Sequence, residues 1–118
     1  ISDRRYWADC GINRQMIGAH DYEQFKLRRF DHARGDNQQP YVDVADYRSA
    51  RRFLTCIWNL NDVEVGGELV FFRADEPVSI APKRGQLIMF PSTWQYQRAE
   101  LAPLSEDRYS IQTFFHYQ

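Results

Sequence analysis

The sequence predicts an all-β sandwich or jelly roll with little helix, and two observations carry that expectation. Apolar and β-branched residues fall in short runs, among them RFLTCIWNL, ELVFF, QLIMF and RYSIQTFF, each of strand length. Turn-forming clusters separate them: Asn61-Asp62, Gly66-Gly67 and the stretch Pro82 to Gly85, residues that suit reversals of an extended chain.

Residues 1 to about 20 mix aromatic and charged positions without period two, and predict a short helical or irregular N-terminal segment. In FKLRRF, Phe25 and Leu27 alternate with Lys26 and Arg28, as expected of a half-buried strand with its apolar side chains turned to the core. Residues 31 to 39 are polar with one glycine and read as an exposed loop, followed by a short extended piece, YVDVAD. Arg52 to Leu60 is apolar and β-prone throughout, which predicts a strand buried on both faces. ELVFF, VSIAP, QLIMF and RYSIQTFF are the remaining strands, with turns at Asp75-Glu76-Pro77 and at Pro82 to Gly85. No internal repeat, low-complexity segment or linker divides the chain, so residues 1–118 read as one domain with its core at about 22–116.

A chain of 118 residues, 43% hydrophobic and 15% aromatic, suits a single globular domain with its own core. No apolar run approaches the roughly 20 residues that span a bilayer, so the expectation is a soluble protein without membrane attachment. The opening ISDRRYWADC lacks the apolar core of a signal peptide, and the absence of an initiator Met points to a processed or trimmed N-terminus. A net charge of −1 gives no electrostatic case for nucleic acid. Thirteen arginines stand against two lysines, Lys26 and Lys83, a bias that base composition explains as readily as bidentate recognition does. Cys10 and Cys56 are too few and too scattered for a disulfide framework or a zinc site, and favour free thiols in a reducing, cytoplasmic compartment.

More specific information lies in LTCIWNLNDVEVGGELVFF, in VSIAPKRGQLIMFPSTW and in RYSIQTFF. Together, in this order and spacing, they resemble the C-terminal core of the iron- and 2-oxoglutarate-dependent dioxygenases, most closely the prolyl 4-hydroxylase-like group. The resemblance covers roughly Phe25 to Phe115. It implies a double-stranded β-helix, a distorted cupin-like jelly roll. It also implies oxidoreductase chemistry at Fe(II), held by two histidines and a carboxylate that leave positions open for 2-oxoglutarate and oxygen.

Carried over residue by residue, the resemblance places Tyr41-Val42-Asp43 where the family has His-x-Asp. Asp43 matches the carboxylate ligand, and Tyr41 stands in for the first histidine. The second histidine falls at Arg98, or at Tyr96 if the register slips by two. Arg108 and Ser110 resemble the Arg-x-Ser pair that grips the far carboxylate of 2-oxoglutarate, and period two puts both on one face.

These substitutions matter chemically. A phenol must lose a proton near pH 10 before it ligates well, whereas neutral imidazole is ready near pH 7. A guanidinium has no lone pair to offer and stays charged. Asp43 is thus the single family ligand left to a retained metal, and iron is not expected to bind. Since a lone buried charge is costly, Asp43 and Arg98 are expected to pair, with the Tyr41 hydroxyl nearby.

His20, His32 and His116 fall outside the family's ligand positions, although His32 could fold toward Asp43 and His20-Asp21 could form a stray ligand pair. Plainer roles compete elsewhere. Arg108 and Ser110 could be an ordinary internal salt-bridge pair, and Gly66-Gly67 a hairpin device. Trp58, Trp94, Phe71 and Phe72 could be core or subunit-contact aromatics, and Tyr96 a packed rim residue.

Three functions follow: a pseudoenzyme serving as a binding or structural component of a larger assembly with a protein partner; an active hydroxylase of a protein or small molecule with a rearranged metal site; and a binder of a 2-oxoglutarate-like anion through Arg108. Two replaced ligands favour the first.

Overall fold

The structure, a computed structural model, describes residues 20–72 and 76–117. Among them nine strands form: β1 (His20–Tyr22), β2 (Lys26–Phe30), β3 (Gln38–Tyr41), β4 (Arg52–Asn59), β5 (Leu69–Phe71), β6 (Val78–Ile80), β7 (Leu87–Pro91), β8 (Arg98–Glu100) and β9 (Arg108–Tyr117). A single 3-10 turn spans Trp94–Tyr96. The fold is mainly β, as expected, and its strands make two antiparallel sheets. One has the order β1-β9-β4-β7, with β2 also paired to β9; the other runs β3-β8-β5-β6.

β4 is the centre of the larger sheet because its apolar sequence tolerates burial on both faces. Its register sets Ile57 against Ile88 and Thr55 against Phe90 of β7, and Leu54 against Phe115 of β9. Successive side chains therefore part to opposite sides. Ile57, Ile88 and Phe90 meet Leu69 and Phe71 of the second sheet, with Tyr96 packed at the margin. Leu54, Cys56 and Phe115 form a separate cluster, flanked by Trp58, Leu87 and Met89.

The strand expected at FKLRRF exists with its faces reversed. Leu27 is 69% exposed, whereas Phe30 is buried and Arg28 is nearly so. Pairing with β9 sets Arg28 opposite Ser110 and Phe30 opposite Arg108, which turns Arg28 toward the interior. There it meets a buried carboxylate, and a paired buried charge outweighs the loss of one leucine from the core.

The extended piece expected over YVDVAD stops at Tyr41. Beyond it the Asp46 carboxylate accepts the Ser49 N–H at 2.9 Å, and Ser49 Oγ accepts the N–H groups of Ala45 and Asp46. This side-chain-stabilised turn ends the extended run. β8 and β1 were not foreseen from the sequence. The expected helical or irregular segment at 1–19 lies outside the described residues, as does Asp75 of the expected turn.

Gly66 (φ +82°) lies against the chain beyond β8, where a Cβ would approach the Ala102 carbonyl oxygen to 2.6 Å. Only glycine fits there. The contact fixes the approach to β5 beside the segment that joins β8 to β9. Among the described residues no helix is long and apolar enough to cross a membrane.

Candidate functional site

At one end of the interior the facing side chains are charged. β8 presents Arg98 and Glu100, two residues apart and both buried. β9 presents Arg108 and Ser110, β2 presents Arg28, and the segment after β3 brings in Asp43. Tyr41 closes β3 in register with Arg98.

Asp43 and Arg98 form the first half of the network. Arg98 Nη2 donates to Asp43 Oδ1 at 2.9 Å, with side-chain exposures of 0% and 3%. Thr55 Oγ1 donates to Asp43 Oδ2 at 2.7 Å and lies 2.8 Å from Ser92 Oγ. The Arg98 guanidinium lies 4.7 Å from the Tyr41 ring centroid and 4.9 Å from that of Phe90, contacts that stabilise a buried cation. Its Nε and Nη1 have no hydrogen-bond partner among the described residues.

Glu100 is the centre of the second half. It accepts from Arg28 Nη1 and Nη2 at 2.7 and 2.8 Å, from Arg108 Nη1 at 2.9 Å and from the Tyr41 hydroxyl at 3.2 Å. The paired contacts from Arg28 are the fork geometry that makes guanidinium–carboxylate bonds strong. Arg108 turns its Nε and Nη2 to Asn59 Oδ1, at 3.1 and 3.0 Å. Asn59 in turn donates to Gln86.

These contacts decide the protonation states. Burial alone would raise the Glu100 carboxyl, but the hydrogen bond and charge of Arg28, then the charges of Arg98 and Arg108, overcome it and hold Glu100 at about 2. The Tyr41 phenol is pushed above its ordinary value, first by burial, against the pull of Arg98. Burial draws Arg108 down while Glu100 draws it back up.

Tyr41, Asp43, Arg98, Arg108 and Ser110 are thus brought together, and the Asp43–Arg98 contact anticipated from the sequence is present. Ser110 does not share the Arg108 fork; its Oγ accepts from Arg28 Nη2 at 3.1 Å. His32 turns away from Asp43. Its Nδ1 lies 2.6 Å from Asp107 Oδ1, near Asp31, and Arg29 bridges both carboxylates. His116 Nδ1 lies 3.9 Å from Glu23, and His20 belongs to the β1–β9 pairing. Tyr96 packs on Phe71 and Phe90, Phe71 is core, and Trp94 is 75% exposed.

Sequence reasoning missed Arg28, Glu100 and Asn59. The available signal for Glu100 was its spacing, since a residue two past Arg98 on a strand shares its face. Beside the network opens a cleft of about 460 Å³, bordered by β2, the segment after β3 and β9.

The model of the 2OG-Fe(II) oxygenase superfamily matches residues 20–116. This chain belongs to that superfamily. Its jelly roll is also that of solved prolyl hydroxylases. A Pseudomonas putida prolyl-4-hydroxylase is 22% identical with a TM-score of 0.73, over 97% of this chain and 66% of its own. The viral collagen prolyl hydroxylase of Paramecium bursaria Chlorella virus-1, solved as a 2OG complex, is 17% identical with a TM-score of 0.75, over 98% and 70%. A Trichoplax adhaerens prolyl hydroxylase, solved with a hypoxia inducible factor peptide, is 19% identical with a TM-score of 0.72, over 82% of this chain and 44% of its own. This oxygenase-family chain therefore spans less than half the length of that last relative. No curated protein matches it. The superfamily's chemistry uses Fe(II) and 2-oxoglutarate.

Proposed function

We propose that this 2OG-Fe(II) oxygenase domain has lost the iron-dependent reaction of its superfamily and acts as a binding or structural component of a larger assembly. The observation that carries the reading is the contact of Arg98 with Asp43, 2.9 Å long and buried on both sides. A guanidinium offers no lone pair and repels a second cation. Tyr41 is a phenol held in its neutral form by burial. Of the three family positions only Asp43 carries a good ferrous donor, and its charge is already balanced. This donor set does not fit a ferrous ion.

The cosubstrate position supports the same reading. Arg108, the residue that would hold the far carboxylate of 2-oxoglutarate, already binds Glu100 at 2.9 Å. The protein supplies its own carboxylate there. A binding role has support in β2, where Phe25 just before the strand and Leu27 within it are 56% and 69% exposed, apolar surface of the kind that partners cover.

The test is anaerobic reconstitution with Fe(II), metal analysis and an assay of succinate release from 2-oxoglutarate. We expect well under one iron per chain and no succinate above a protein-free control. Stoichiometric iron with succinate release would overturn the reading in favour of an active hydroxylase with a rearranged site.

A further inference from the structure

We propose that the cleft beside the charged network is a binding site for a carboxylate group, held by Lys26 and Gln112 and steered by Arg48. It is distinct from the Arg108 position, and it rests on the closed interior argued above, since an open Arg108 would capture the same ligands.

Four observations carry it. First, β2 and β9 pair Lys26 with Gln112, and both side chains line the cleft of about 460 Å³. Directly opposed residues on one face have Cβ atoms about 5 Å apart, a separation that lets the two oxygens of one carboxylate reach an ammonium and an amide N–H together. Second, Gln112 is only 8% exposed, yet its side-chain amide has no hydrogen-bond partner among the described residues. The amide reaches solvent in the cleft, so a carboxylate bound there takes the place of water as its acceptor.

Third, the acidic groups around the cleft are engaged, while Lys26 has no carboxylate partner. Glu23 is bound by Arg52, Asp43 by Arg98, and Asp46 by its Ser49 turn. Lys26 makes no ion pair among the described residues, and Arg48 reaches Asp46 only through its charge and its backbone N–H. Fourth, Arg28 borders the cleft with a buried Nε that has no partner among the described residues, and three buried or nearly buried guanidiniums, Arg28, Arg98 and Arg108, face two carboxylates, Asp43 and Glu100. The local field therefore favours an anion.

The choice of a carboxylate follows from geometry: its two coplanar oxygens suit an ammonium and an amide N–H set side by side by the β2–β9 register. The carboxylate could come from a free organic acid or from an acidic side chain of a peptide partner, and the two sources are separated by the choice of probe.

The full chain is titrated with succinate, with a capped glutamyl tripeptide and with inorganic phosphate at constant ionic strength. Melting temperature and the Gln112 side-chain amide resonance are followed. We expect saturable binding of a carboxylate probe that perturbs Gln112, weakened about tenfold or more by Lys26→Met and by Gln112→Leu, unchanged by Lys83→Met, and stronger than that of phosphate. Tighter binding of the peptide assigns the source to a protein partner, and tighter binding of succinate to a metabolite.

Lys26 is exposed, so its variant reports even if Gln112→Leu folds poorly. No saturable binding, or equal weakening in Lys83→Met, overturns the site and leaves the iron reading untouched. Binding that survives both cleft variants and vanishes in Arg108→Met overturns the site and the closed interior together.

Discussion

Between the same two sheets this oxygenase-family domain has an apolar end and a charged end, held by opposite rules. Ile57, Leu69, Phe71, Ile88 and Phe90 contribute area and packing, so each can be trimmed at a cost close to its own size. Arg28, Asp43, Arg98, Glu100 and Arg108 are worth what their partners make them worth. Removing one member strands the others in a medium that punishes bare charge. The apolar end tolerates piecemeal change, and the charged end tolerates only concerted change.

The sharpest way to expose that difference is Glu100→Ala. It leaves Arg28 and Arg108 without their carboxylate, and should cost about 3–5 kcal/mol in urea unfolding, several times the area lost. A cost near 1 kcal/mol would mean that the guanidiniums reach water, and the contrast would collapse.

Acid probes the same group without mutation. Glu100 titrates at about 2 in the folded chain against an ordinary 4.5. A depressed carboxylate contributes stability that is fully present above pH 4.5 and lost as pH falls toward 2. The loss should reach about 3 kcal/mol. A pH series of unfolding curves should show a steeper slope in the native chain than in Glu100→Gln, where Asp107, also held at about 2, still titrates.

Ile57→Val supplies the apolar counterpart. Removing one methylene from a fully buried side chain of the apolar cluster should cost about 1 kcal/mol at any pH from 2 to 7. Smallest of all should be the double variant Asp43→Leu with Arg98→Met. Replacing both partners by apolar groups should leave stability within about 1 kcal/mol of the native chain or raise it, while Asp43→Leu alone costs several times more. A double variant as damaged as the single one would show that the pair is favourable in its own right.

The same contrast explains what could be read from the sequence. β4, β7 and β9 announce themselves because an apolar run needs no partner to be recognised. β8 does not: Arg98-Ala99-Glu100 looks like a solvent-exposed stretch, and its burial depends on Asp43, Arg28 and Arg108 elsewhere in the chain. β2 was given the wrong inner face for the same reason, since periodicity assigns Arg28 outward and only Glu100 brings it in.

The family resemblance singled out positions 41, 43, 98 and 108, which the fold brings together, and the Asp43–Arg98 contact follows from the cost of burying either charge alone. Asn59 and the cleft amide of Gln112 carry no local signature. Their positions are set by cross-strand register.

The ion pairing around Arg98 also makes the present sequence a mutational ratchet. A single change of Arg98 to histidine leaves Asp43 without its guanidinium, while Tyr41 and Glu100 still stand where they do now. A single change of Glu100 strands two arginines. Any single change within this network is thus opposed by stability first, whatever it would do for function. The surface of this chain is therefore freer to vary than its charged interior.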